Sequence, residues 1–137
     1  MERIASAVWT GGLKDGRGLF SVQSGAIKDV EVTFKTRFEG PGGTNPEELI
    51  AAAHASCFSM ALSAQLGERG ITPERIATTC TITFESGTLT RSRLKTAVSA
   101  PGADRSKVEE AAAAARAGCP ISKVLKLEIA LDLTLVV

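Results

Sequence analysis

Residues 45–70 read NPEELIAAAHASCFSMALSAQLGERG and predict one long helix, the element on which the fold depends. Asn45 is a favourable N-cap and Pro46 suits the first helical position, and the two glutamates that follow favour the positive end of the helix dipole. The helix is expected to end near Gly67 or Gly70. Because the segment is apolar nearly all round, we expect it to be enclosed on most of its sides.

The same segment raises the question of a membrane. Leu49 to Leu66 runs 18 residues without a formal charge, which meets the lower bound for a membrane span. Its alanines and serines, together with His54 and Gln65, make it only weakly hydrophobic, and we interpret it as a buried helix of a soluble protein. Residues 1–4 do not resemble the start of a secretory signal. We therefore expect a cytoplasmic protein with no membrane association.

The rest of the chain predicts β-strands and a second, alanine-rich helix. Three strands precede the long helix, and the third shows period-two alternation from Val30 to Arg37, with Arg37 on the polar face. Two strands, the second helix and a last alternating strand follow it. The order βββ-α-ββ-α-β predicts an α+β fold with antiparallel sheet, as a single domain over residues 1–137.

Composition narrows the classes of function. The net charge is +1, with one Trp and no Tyr, so the sequence lacks the basic patch and stacking aromatics of a nucleic-acid binder. Three cysteines without a CxxC pair argue against a secreted disulfide scaffold, and a single histidine argues against a structural zinc site. The cysteines are then either core residues or reactive thiols.

The surroundings of each cysteine differ. Cys57 lies in the middle of the long helix, where core packing is the simplest interpretation. Cys80 shares a strand face with Ile82 and Phe84 and is expected to be a core residue. Cys119 lies between a glycine and a proline, where free backbone N–H groups of a new helical turn could stabilise a thiolate.

Two motifs resemble a known family. GTNPEEL at residues 43–49 and AAHASCFSMAL at residues 52–62 closely resemble the central helix of the OsmC/Ohr family of organic hydroperoxide reductases. GCPISK at residues 118–123 resembles the second cysteine motif of that family. Similar residues at 9–11 and 37–39 extend the resemblance over essentially the whole chain. The His-Ala-Ser tripeptide before the first cysteine favours the OsmC branch.

The resemblance implies an intertwined homodimer in which antiparallel sheets from both chains wrap two long central helices. It also implies that Cys57 is the peroxidatic cysteine and Cys119 the resolving cysteine. Arg37 and Glu47 match the pair that activates the thiolate and positions the peroxide. The chain shows no departure from the family pattern at these four positions, and Cys80 matches no catalytic position.

Helix geometry adds a constraint on these roles. Glu47 lies ten residues before Cys57, a separation of about 15 Å along one helix, so it would have to act from the partner chain. From periodicity alone Arg37 is a solvated strand arginine, and only the resemblance favours a role in the site. His54 lies one turn before Cys57, where a packed or interface group is favoured over a direct participant.

The expected cycle begins when the Cys57 thiolate attacks a hydroperoxide and becomes a sulfenic acid. Cys119 then closes a disulfide with it, and an external dithiol, of lipoyl type by the resemblance, reduces that bond. The apolar surroundings of Cys57 favour organic hydroperoxides over H2O2, and the cycle requires no metal, flavin or haem.

Three alternatives remain open. The first is a non-catalytic dimer of the same fold that binds an apolar ligand. The second is a structural stress protein. The third is an acyl-transfer enzyme that uses Cys57, although the sequence offers no His–Asp pair to serve it.

Overall fold

The computed structural model describes residues 1–40 and 42–136. The predicted loop around Pro41 therefore lies partly outside the described residues. Within them the elements, in chain order, are β1 (Ala5–Thr10), β2 (Arg17–Val22), β3 (Val30–Val32), α1 (Phe34–Phe38), α2 (Pro46–Glu68), β4 (Arg75–Glu85), β5 (Thr88–Ser99), α3 (Arg105–Gly118), α4 (Pro120–Val124) and β6 (Glu128–Val136). The prediction of an α+β fold is confirmed.

The chain forms two compact units, a first unit over Met1–Leu49 and a second unit from Ile50 onward. The first unit holds a three-stranded antiparallel sheet in the order β1-β2-β3. A tight turn joins β1 to β2, and the N–H of Gly16 donates to the carbonyl of Gly12 across it, 2.8 Å apart. A Cβ at Gly16 would collide with that carbonyl oxygen, so the turn requires glycine there.

The predicted third strand is wrong beyond Val32, because the chain turns into the short helix α1. The Thr33 hydroxyl accepts from the N–H of Thr36, and the Thr36 hydroxyl accepts from the N–H of Thr33. This reciprocal cap starts a helix in spite of the period-two alternation. Arg37 consequently lies on a helix and not on the polar face of a strand.

The start of α2 follows the prediction. The Asn45 side-chain oxygen accepts from the N–H of Glu48, 2.8 Å apart, so the predicted N-cap is confirmed. The Glu48 carboxylate accepts from the hydroxyl of Thr44. The helix continues to Glu68, close to the predicted end.

The second unit holds a sheet in the order β4-β5-β6. Strands β4 and β5 are antiparallel, as predicted, whereas β5 and β6 are parallel, with Leu94 opposite Leu131. The helices α3 and α4 lie between β5 and β6 in the chain and supply the crossover that a parallel pair requires. The expectation of purely antiparallel sheet is therefore wrong for this one pair.

The core of the second unit contains one stripe of α2. The buried residues of α2 recur every four positions, as His54, Phe58, Leu62 and Leu66. Phe58, Leu62 and Leu66 share one hydrophobic cluster with buried residues of β5, α3, β6 and the positions that follow β5 and α3, namely Leu94, Val98, Ala100, Val108, Ala111, Ala112, Ala115, Cys119 and Leu135.

Most of α2 is not buried within a single chain. An 18-residue window of this helix has a mean hydropathy of 1.4, yet only 22% of it is buried. By length and composition such a helix could cross a membrane, but this is weak evidence, because core helices of soluble proteins pass the same test. The expected enclosure on most sides is thus not provided by one chain.

Candidate active site

The structure brings Cys57 and Cys119 together. Cys57 lies in the middle of α2 and Cys119 between α3 and α4, yet their Sγ atoms are 2.9 Å apart. Both are free thiols. Cys119 is fully buried, whereas Cys57 is half-buried. Two sulfurs at this separation are in contact and can form a disulfide after a small side-chain movement.

The backbone fixes Cys119 from both sides. Its N–H donates to the carbonyl of Ala115 at the end of α3, 2.9 Å apart, and its carbonyl accepts from the N–H of Lys123 in α4, 3.1 Å apart. Pro120 occupies the first position of α4, where its missing N–H has no intrahelical partner to lose. These hydrogen bonds hold Cys119 in place as the last cap of α3 and the first cap of α4.

The two thiols ionise with different ease. Burial raises the pKa of Cys57, and its hydrogen bond with the Cys119 thiol raises it further, against the Ile121 N–H, which lowers it. Burial also opposes ionisation of Cys119. The hydrogen bond with the Cys57 thiol and those with Ser122 and the Ile121 backbone outweigh burial, and the pKa of Cys119 lies below its usual value. Of the two thiols, Cys57 is therefore the harder to ionise.

Arg37 and Glu47 form the second predicted pair, and both belong to the first unit. The Arg37 side chain donates through Nε to both carboxylate oxygens of Glu47, at 3.1 and 3.3 Å, and through a terminal nitrogen to Oε1 at 2.7 Å. The guanidinium also lies over the ring of Phe38, 5.1 Å from its centre. A carboxylate in this geometry fixes the direction in which the guanidinium points.

An apolar groove of about 480 Å³ adjoins this pair in the first unit. Its walls come mainly from β1 and β2, and its lining includes Trp9, Phe20, Leu49 and Arg37. The groove is therefore mainly apolar, with the Arg37 guanidinium in its wall.

Sequence analysis missed a buried polar cluster in the second unit. The His54 ring contacts Ser92 Oγ through Nδ1 at 2.6 Å and Ser122 Oγ through Nε2 at 2.8 Å. The Cys80 sulfur lies 3.2 Å from the same Ser92 oxygen, so it belongs to a polar network and not only to the core. Only the spacing in the sequence hinted at this cluster. His54 lies three residues before Cys57, and Ser122 lies three residues after Cys119.

The chain is similar to known proteins over most of its length. A family model described as OsmC-like protein matches residues 38–134 and so contains both Cys57 and Cys119. The chain belongs to the OsmC family. The resemblance noted in the sequence is thereby confirmed.

Individual relatives of the OsmC family cover almost the whole chain. It is 49% identical to Peroxiredoxin OsmC of Escherichia coli K12 over 136 residues, 96% of this chain and 95% of the relative. The crystal structure of the organic hydroperoxide resistance protein OhrB of Bacillus subtilis superposes with a TM-score of 0.64 at 28% identity, covering 97% of this chain and 98% of that one. An OsmC-like protein of Mycoplasma pneumoniae shares the fold, with a TM-score of 0.77 at 15% identity, covering 100% of this chain and 99% of that one.

Proposed function

We propose that this chain is a thiol-dependent peroxidase that reduces organic hydroperoxides to alcohols, and H2O2 more weakly. The single observation that carries the proposal is the 2.9 Å separation of the Cys57 and Cys119 sulfurs. The names of its relatives, a peroxiredoxin and an organic hydroperoxide resistance protein, point to the same chemistry. Three free cysteines are in keeping with a reducing compartment, and we place the protein in the cytoplasm.

The reaction balances with the two thiols alone. The Cys57 thiolate attacks the distal oxygen of the hydroperoxide, the O–O bond breaks, and one proton completes the alcohol while Cys57 becomes a sulfenic acid. The Cys119 sulfur then attacks Cys57, the S–O bond breaks, and the thiol proton leaves with the hydroxyl as water. An external dithiol, which we take to be of lipoyl type on the strength of family membership, restores both thiols.

The thiolate at Cys57 needs a cation, and we propose that Arg37 of a partner chain supplies it, directed by the Glu47 of that chain. Burial raises the pKa of Cys57, so the thiolate forms near neutral pH only beside a positive charge. Glu47 stands about 15 Å before Cys57 along the same helix, which favours a contribution in trans.

A homodimer is also supported by the exposed side of α2. Its exposed residues include Ala52, Ser56, Met60 and Ser63, small or apolar side chains that recur at helical spacing. Met60 is 77% exposed within one chain. Apolar surface of this kind is stabilised when a second copy of the helix covers it.

The preference for organic hydroperoxides follows from the groove in the first unit. Its apolar lining suits an alkyl chain, and Arg37 in its wall suits the polar peroxide group. H2O2 has no apolar part to bury, so it would gain nothing from such a groove.

A thiol count tests the proposal. Reduced protein carries three thiols, and one equivalent of cumene hydroperoxide should lower the count to one per chain, with Cys57 and Cys119 joined in mass spectra. A Cys80→Ser variant, the matched control, should lose both of its remaining thiols. Cys57→Ser should lose none. Retention of all three thiols in the wild type would instead favour the non-catalytic dimer that binds an apolar ligand.

A further inference from the structure

We infer that Thr36 is a positioning residue for the proposed peroxidase site, because it holds α1 in the helical conformation that brings Arg37 to Glu47. The inference rests on the proposed function in one respect, the role of Arg37 as the cation beside Cys57. Thr36 acts through the guanidinium of Arg37, and its effect on that guanidinium can be measured without any peroxidase assay.

The Thr36 side chain closes the first turn of α1. Its hydroxyl oxygen accepts from the Thr33 N–H at 2.9 Å, and the hydroxyl donates to the Thr33 carbonyl at 3.1 Å. The Thr36 N–H donates in turn to the Thr33 hydroxyl at 3.1 Å. The Thr33 carbonyl also accepts from the Arg37 N–H, 3.1 Å away. The same cap therefore holds the backbone of the arginine.

Little besides this cap favours a helix at α1. The helix is five residues long and none of them is buried, and a helix this short is marginal by itself. The rings of Phe34 and Phe38, with centres 4.9 Å apart, add one contact between its turns. The alternation from Val30 to Arg37 favours the competing continuation of β3. Loss of the cap should therefore shift the segment away from the helix.

The helical and extended conformations place Arg37 at different distances from Thr33. Over these four residues the chain advances about 6 Å in a helix and about 13 Å in a strand. In the structure the guanidinium lies 2.7 Å from a carboxylate oxygen of Glu47. A displacement of several ångströms would break the paired hydrogen bonds between them.

Thr36 also joins α1 to the start of the helix that carries Glu47. Its carbonyl accepts from the side-chain nitrogen of Asn45, the N-cap of α2, at 3.5 Å. Its methyl carbon contacts the loop before α2, because a Cβ at Gly43 would lie 2.7 Å from it. One threonine thus fixes the helix that bears the arginine against the helix that bears the carboxylate.

The Nε–H proton of Arg37 gives a direct test by NMR. Glu47 binds this proton in the wild type, and Arg37→Met assigns its signal by removing it. Thr36→Val keeps the methyl contact with Gly43 but lacks the hydroxyl. It should raise the hydrogen-exchange rate of the Nε–H proton about fivefold, as the loss of a helix cap does. Thr36→Ser keeps the hydroxyl and should restore most of the protection.

Two controls separate positioning from general damage to the fold. Thr44→Val is the same substitution at a half-buried threonine whose hydroxyl bonds Glu48 instead, and it should leave the Arg37 exchange rate unchanged. The Nε–H of Arg93 donates to Asp132 in the second unit at 2.7 Å and should exchange equally in all variants. Equal Arg37 rates in Thr36→Val and Thr44→Val would overturn the inference, and so would a matching rise at Arg93.

Alkylation of Cys57 connects the inference to the proposed function. Iodoacetamide reacts with the thiolate, so in a Cys80→Ser, Cys119→Ser background Arg37→Met should slow the reaction at neutral pH. Thr36→Val should slow it as well and should add nothing when combined with Arg37→Met. A further slowing in the combined variant would contradict action through Arg37. An unchanged rate in Arg37→Met would refute the proposed role of Arg37, and the exchange measurement would still decide the inference.

Discussion

At Cys57, burial and the neighbouring thiol both oppose ionisation, whereas at Cys119 several polar hydrogens favour it. In the proposed cycle the sulfur that attacks the peroxide is therefore the one that is harder to ionise. The proposed trans contribution of Arg37 would offset this asymmetry by stabilising the Cys57 thiolate.

His54 also makes a prediction about stability against pH. Its pKa is lowered by burial, so the unfolded chain binds a proton at a higher pH than the folded chain does. The stability this represents is fully present above about pH 6.5, the ordinary histidine value, and is lost as pH falls from there through the lowered pKa of the folded state.

Urea unfolding at a series of pH values between 7.5 and 5 measures this loss, as a falling midpoint. His54 is the single histidine of the chain, so no other imidazole contributes to this window. His54→Gln should therefore flatten the profile. A profile that falls equally steeply in the variant would contradict the assignment.

At the scale of single elements, the N-terminus of α2 joins the helix to α1. The Asn45 side chain caps α2 through its oxygen, and its nitrogen lies 3.5 Å from the carbonyl of Thr36. Asn45→Ala should lower the free energy of unfolding by about 1 kcal/mol, measured in urea. Asn45→Asp keeps the capping oxygen and should recover most of the loss, so an equal loss in both variants would contradict capping as the cause.

The elements show where sequence reasoning succeeds and where it fails. The start of α2 could be predicted because Asn45 and Pro46 are local signals that act on the next turn of the same chain. The end of β3 was mispredicted because alternation from Val30 to Arg37 fits a strand equally well until the Thr33 hydroxyl bonds Thr36. Such a local competition is decided by side-chain hydrogen bonds to the neighbouring backbone.

At the scale of the whole molecule, the long-range contacts could not be predicted from local sequence patterns. The pairing of Cys57 with Cys119 was expected only through the family resemblance, since nothing local relates positions 62 residues apart. No sequence motif predicts the contacts of His54 with Ser92 and Ser122, because any buried hydroxyl could accept or donate a hydrogen bond at either ring nitrogen. The parallel pairing of β5 with β6 likewise depends on how α3 and α4 return the chain.

A complete site is expected to need residues of two chains. Cys57→Ser lacks the attacking sulfur and Arg37→Met lacks the proposed cation, so each homodimer alone should be inactive towards cumene hydroperoxide. If Arg37 acts in trans, a mixed dimer pairs the intact Cys57 of one chain with the intact Arg37 of the other.

Refolding the two variants together at equal concentration makes the measurement. Random pairing yields mixed dimers in half of the population, each with one complete site, so about a quarter of wild-type peroxidase activity should return. Arg37→Met refolded with Arg37→Gln is the matched control and should remain inactive, because both chains lack the cation at the same position. If Arg37 served the Cys57 of its own chain, every chain in the mixture would lack one partner and no activity would return.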